Sequence, residues 1–146
     1  MKILVCIDLS DSTEQILNRI EKLCRPLKAR IWLLHNATPE PDTIEFKVDP
    51  IEARESLAKE FHQQHRRIQQ LAERFRESGI EATALLVHGK TVEAILKEAA
   101  DLDVDLIVVG SHGHGAMYQL LVGSISEAVL QRSSIPVLVI PTHERD

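Results

Sequence analysis

The sequence predicts an α/β fold, a Rossmann-like open sheet of five parallel strands in the order 3-2-1-4-5 with helices on both faces. Three observations carry that expectation. Strand-like and helix-like patterns alternate along the chain as β-α-β-α-β-α-β-α-β. The strand-like runs are mostly continuously apolar, which is the mark of strands covered on both faces. Strands joined through helices run parallel, and their crossovers are right-handed.

The elements follow in order. Lys2–Ile7 is the first strand. Ser10, Asp11 and Ser12 offer caps to the helix after it, and Glu14 follows Asp11 at capping-box spacing. Ile16, Leu17, Ile20 and Leu23 form the apolar stripe of that helix, and Pro26 is expected to close it. Arg30–Ala37 is the second strand, centred on Ile31, Trp32, Leu33 and Leu34. Residues 38–50 hold Pro39, Pro41, Pro50 and several carboxylates, and read as a loop. Ile51–Ser78 is a long helix with Leu57, Phe61, Ile68, Leu71 and Phe75 on one face, stopped by Gly79. Glu81–Val87 is the third strand. Thr91 caps a short helix, Val92–Asp101, with Ile95 and Leu96 inward. Leu106–Val109 is the fourth strand, Ser124–Arg132 the last helix and Val137–Ile140 the fifth strand. The tail, Pro141–Asp146, is polar. With no repeat and no linker, 1–146 reads as a single domain.

Composition narrows the function. Lys and Arg number 17 against 22 Asp and Glu, a net charge of −5, which argues against a general nucleic-acid binder. No apolar run approaches the roughly 18 residues of a membrane span, and the N-terminus lacks the form of a secretory leader. Two cysteines, Cys6 and Cys24, fit a cytoplasmic protein better than a disulfide-stapled one.

In a doubly wound sheet, ligands sit beyond the carboxyl ends of the strands where the order reverses. The segment Gly110–Gly123 starts where a buried strand ends and finishes where a helix begins. Glycines let backbone approach a ligand, and free N–H groups at a helix start favour phosphate. Ser124 can add a hydrogen bond or cap the helix. The bland alternative is a tight turn and nothing more. The segment lacks the Lys of a Walker loop and the G-x-G-x-x-G of the dinucleotide fingerprint.

The spacing Gly110-x2-Gly113-x9-Gly123-Ser124 resembles the G-x2-G-x9-G-[S/T] signature of the universal stress protein family, ATP-binding branch. The likeness spans nearly the whole chain, including Ile7-Asp8, Leu33-Leu34-His35, Val108–Gly113 and Pro136–Ile140. It implies ATP as ligand, with Mg²⁺ bridging the phosphates. Asp8 would lie at the nucleoside end, Asn36 would touch adenine through its backbone, and Val109 and Gly110 would line the ribose. Gly113, Gly123, Ser124 and the amide of Ile125 would hold phosphates. Cys6 stands two residues before Asp8, where relatives often carry Pro, and Asn36 stands where they usually have an aliphatic residue. The resemblance also implies a homodimer through the edge strand Val137, Leu138, Val139 and Ile140; Pro136, Pro141 and the charged tail are the features that would oppose it.

Other residues carry two readings each. Asp8 either meets a ligand or caps the first helix, and Cys6 is either a redox sensor or a small buried hydrophobe. His112 and His114 are too few for a metal site on their own and are expected to face solvent, while His62 and His65 read as part of a solvated helix face. The leading function is a nucleotide-dependent regulatory module of the stress response, with slow or no hydrolysis and a protein partner the sequence leaves unnamed. The alternatives are a weak ATPase or nucleotidyl transferase, and a dimerisation module that binds no nucleotide.

Overall fold

The computed structural model describes residues 1–37, 50–111 and 123–142, the side chains of Pro50 and Ala53 apart. Residues 38–49 of the expected loop, His112, Gly113, His114 and residues 143–146 lie outside the described residues, while Pro50, expected in that loop, is the first residue of the long helix. The order of elements is β1 (Lys2–Cys6), α1 (Thr13–Leu27), β2 (Arg30–Asn36), α2 (Pro50–Glu77), β3 (Glu81–Val87), α3 (Thr91–Asp101), β4 (Leu106–Gly110), α4 (Ser124–Arg132) and β5 (Val137–Ile140). The five strands form one sheet in the order β3-β2-β1-β4-β5, every pair parallel, as the alternation predicts.

Apolar side chains divide between the two faces. Ile3, Val5, Ile31 and Leu33 pack with Ile16, Leu17 and Ile20 of α1 and Ile68, Ala72 and Phe75 of α2. Leu4, Trp32, Leu34, Ile107 and Val109 pack with Ile95 and Ala99 of α3 and Val129 of α4. β1 is buried on both sides because consecutive residues feed opposite cores, which is why its run does not alternate. Full burial of one such side chain stabilises by roughly 1.5–3 kcal/mol.

Several local expectations are corrected. Pro26 lies inside α1 rather than closing it. It sits one residue from the end, where the missing N–H removes a single ladder bond, and the helix ends through Lys28 in the left-handed region, φ 48°. Leu23 is exposed, outside the stripe assigned to it. Leu57 is exposed as well, and so is every described side chain from Ile51 to Glu60. The reason is length. A 28-residue helix spans about 42 Å, whereas the seven-residue strands β2 and β3 span about 23 Å, so the amino half of α2 overhangs the sheet. No side chain caps α1, α3 or α4. Thr91 is the first helical residue of α3 rather than its cap. Gly79 ends α2 as expected, with φ 86°.

Candidate functional site

β1 and β4 are neighbours at the centre of the sheet, and the chain leaves them in opposite directions, to β2 and to β5. Their carboxyl ends therefore border the switch-point crevice. On the β1 side, the Ile7 N–H donates to the Leu34 carbonyl at 2.9 Å. Asp8 follows, and its Oδ1 accepts the Ser10 N–H at 3.0 Å, an Asx turn. Between them Leu9 is left-handed, φ 59°, with its side chain packed against the core. The Ser10 and Ser12 hydroxyls are 2.7 Å apart, and the Ser10 carbonyl accepts the Thr13 N–H at 3.1 Å. Asp8 thus stands where the sequence places it and shapes the turn into α1 rather than capping that helix. Thr13, 1% exposed at the start of α1, has a buried hydroxyl with no partner among the described residues.

The β4 side is organised by Ser111, which is 3% exposed. Its N–H donates to the Ile140 carbonyl at 2.8 Å and its carbonyl accepts the Gly123 N–H at 2.5 Å. Its Oγ accepts the Thr142 N–H at 3.0 Å and lies 3.2 Å from Thr142 Oγ1. The two ends of the glycine-rich segment are thereby drawn together and tied to the end of β5. Buried Ser126 donates its hydroxyl to the Gly110 carbonyl at 2.6 Å, fixing α4 to the end of β4. The first backbone bond of α4 runs from the Glu127 N–H to the Gly123 carbonyl. The N–H groups of Ser124, Ile125 and Ser126 have no backbone acceptor among the described residues, as the geometry of a helix start requires. Ser124 and Ile125 are exposed there, Val109 is buried, and Gly110 ends β4.

Asn36 ends β2, and its side chain is directed to the protein. Its Nδ2 donates to the Gly89 carbonyl at 2.7 Å and to Thr91 Oγ1 at 2.8 Å, clasping the β3–α3 turn. Cys6 is half-buried, and burial pushes its thiol up to about 12; Cys24 is buried and pushed up to about 11. Both are thiols rather than thiolates at neutral pH, which disfavours the redox-sensor reading. His62 and His65 are exposed around Phe61, in keeping with a solvated face. Among the described residues no group of three or more His, Cys, Asp or Glu is placed to hold a metal ion. No described helix is long and apolar enough to cross a membrane.

Sequence reasoning missed Thr13, Ser111 and Ser126. Thr13 extends the stripe of Ile16, Leu17 and Ile20 at i, i+3, i+4 and i+7, and Ser126 precedes Val129 by three. Inward position was readable for both; Ser111, inside a glycine-rich stretch, offered no periodic signal.

The universal stress protein family model matches residues 1–141. The chain is 28% identical over 144 residues to the universal stress protein YxiE of Bacillus subtilis, covering 95% of this chain and 97% of that one. The solved structure of MJ0577, a universal stress protein of Methanocaldococcus jannaschii, superposes with a TM-score of 0.81 at 27% identity, covering 99% of this chain and 97% of that one. The universal stress protein of Archaeoglobus fulgidus in complex with dAMP superposes with a TM-score of 0.61 at 22% identity, covering 96% of this chain and 97% of that one. With its sheet order, its crevice and a family match over almost its whole length, the chain belongs to the universal stress protein family.

Proposed function

We propose that the chain, as one domain over 1–146, binds ATP in the crevice between β1 and β4 and acts as a cytoplasmic regulatory module rather than a turnover catalyst. The observation that carries this reading is the start of α4. Three successive N–H groups, those of Ser124, Ile125 and Ser126, follow directly on a glycine-rich segment whose ends Ser111 pins together. Such a helix start suits phosphate through its amides and its dipole. Gly113 would add to it, and Gly123 would contribute space, since its own N–H is already engaged with Ser111. Asp8 and Val109 would border the nucleoside with Cys6 and Gly110, and the main chain of Asn36 would face the base. Mg²⁺ would be carried by the phosphates themselves, because the protein side lacks a carboxylate cage among the described residues. The dAMP complex of the Archaeoglobus relative supports an adenine nucleotide in this fold. Pairing through the outer edge of β5, where Val137, Leu138 and Val139 are half-buried, would make the homodimer.

The competing reading, a dimerisation module without nucleotide, draws on the Gly123 N–H being turned to Ser111. Thermal melting with Mg-ATP and with Mg-GTP separates the two. Ligand at about 100 times its dissociation constant raises stability by roughly 2.7 kcal/mol. The gain is expected with Mg-ATP and is lost in Gly113→Val, whose branched side chain fills the phosphate space. A melting point unmoved by every nucleotide, together with no nucleotide found by mass spectrometry of the purified protein, would leave only the dimerisation module.

A further inference from the structure

We propose that His35, Gln64 and Glu60 form a one-proton latch that ties the overhanging half of α2 to the end of β1. His35 is 8% exposed in β2, on the sheet face that carries α1 and α2. Its Nδ1 lies 3.1 Å from the Ile7 carbonyl oxygen, and its Nε2 lies 3.2 Å from the side-chain amide of Gln64. The far end of that amide lies 3.3 Å from Glu60 Oε1, one helical turn back along α2.

The argument is a count of protons. Both ends of this chain of groups, the Ile7 carbonyl and the Glu60 carboxylate, only accept. Nδ1 must therefore carry a proton for Ile7. Gln64 must turn its NH₂ to Glu60, which leaves its oxygen facing His35, so Nε2 must carry a proton too. All three bonds close only with one proton more than a neutral imidazole and an ionised carboxylate hold. Flipping the Gln64 amide does not remove the deficit. It satisfies a neutral His35 but sets the amide oxygen against the carboxylate, and the exposed Glu60 then swings away. With the extra proton the latch is closed; without it the outer link opens. Ile7 immediately precedes Asp8, so the closed latch joins α2 to the mouth of the crevice.

Titratable groups on the elements packed here include Asp8 after β1, Lys59, His62, His65, Arg66 and Arg67 around Glu60 and Gln64 on α2, and His88 after β3, which stacks on Phe61. The residues α1 presents to this core, Thr13, Ile16, Leu17, Ile20 and Cys24, carry no charge, the Cys24 thiol being pushed up to about 11 by burial. A folded state that binds one more proton than the unfolded chain gains stability as pH falls.

The test is independent of any nucleotide. The protein is labelled with ¹⁵N-histidine, and unfolding is followed by denaturant between pH 5 and 8. Wild type is expected to show both ring nitrogens of His35 protonated at the acid end, with an Nε2–H protected from exchange. Its folding constant rises by up to about tenfold per pH unit as pH falls. Glu60→Gln supplies the missing donor hydrogen, so its increment flattens. Gln64→Glu places a carboxylate against Nε2, and its increment steepens. If Gln64→Glu fails to fold, the wild-type spectra and Glu60→Gln still decide. A His35 that stays neutral from pH 5 to 8, or identical pH profiles for wild type and Glu60→Gln, overturns the latch.

Discussion

Two connections meet at the crevice, and they are built in opposite ways. The β1–α1 connection is held by its own side chains: the Asp8 carboxylate on the Ser10 N–H, the Ser10 and Ser12 hydroxyls on each other, and the Leu9 side chain anchored in the core at a left-handed backbone position. Of the β4–α4 connection, the described residues form the neck. There one buried serine joins both ends of the glycine-rich segment to β5, and a second, Ser126, fixes α4 to Gly110. The first connection places one carboxylate rigidly at the switch point. The second leaves three N–H groups at the start of α4 without a backbone acceptor among the described residues. In the proposed nucleotide site the first would supply the polar wall and the second the anion-receptive one.

The largest effect is expected where the second connection is pinned. Ser111→Val removes a buried hydroxyl that accepts the Thr142 N–H and faces Thr142 Oγ1. Losing these two part-buried bonds costs about 1–2 kcal/mol, seen as a lower denaturant midpoint with an unchanged slope. The β1–α1 turn is far less affected, so protection of the Ser10 N–H from hydrogen exchange should fall only by the global loss of stability. Equal additional loss at Ser10 would mean that the two connections are one cooperative unit and that the contrast drawn between them is wrong.

A smaller effect is expected from making the first connection resemble the second. Leu9→Gly relieves a left-handed leucine, a strain of roughly 1–2 kcal/mol. Against this stand the lost packing and the greater freedom of glycine in the unfolded chain, each about 1 kcal/mol. The net change in stability is therefore expected within about 1 kcal/mol of zero, with faster exchange of the Ser10 N–H. A loss beyond about 2 kcal/mol would show that Leu9 is kept as a core residue and that its backbone position is incidental.

These two loops also mark where sequence reading succeeds and where it stops. The two-sided parallel sheet was legible because Ile3, Leu4 and Val5, like Ile31 to Leu34, are apolar without alternation, and only a strand between two helical layers demands that. Asp8 and the start of α4 were legible because a switch point has a fixed position in such a sheet. Leu9 was not, since a left-handed leucine carries none of the glycine signal that marks such turns; Lys28 and Asp103, φ 48° and 53°, were hidden in the same way. Leu57 misled because helical periodicity reports a face, whereas exposure of that face depends on how far α2 outruns the strands. Asn36 was read by resemblance as meeting a base through its backbone, and nothing in the sequence signals that its side chain bonds Gly89 and Thr91, more than fifty residues away in the chain.

The smallest effect sharpens the comparison from outside the crevice. α1 and α4, the helices that begin at the two connections, are each tied to a neighbour by one arginine. Arg74 of α2 reaches Glu14 and Asn18 of α1 at 2.7 Å each, and Arg132 of α4 reaches Glu93 of α3 at 3.0 Å. The Arg132 guanidinium, bonded to Glu93, holds that carboxyl below its ordinary range, with a backbone N–H and the charges of Arg132 and Lys90 adding to it. A carboxyl held low stabilises the fold above its unfolded value and loses that contribution as pH falls through its folded value. Arg132→Ala should therefore lower the melting temperature slightly at pH 7, and the difference should close as pH falls through the folded value of Glu93. Exposed pairs of this kind contribute little, so the pH 7 difference should also shrink in high salt. Because Ser126 rather than Arg132 fixes the amino end of α4, the response to Mg-ATP should be the same in Arg132→Ala as in wild type. A weakened response would place the anchoring of the anion-receptive wall at the far end of the helix instead.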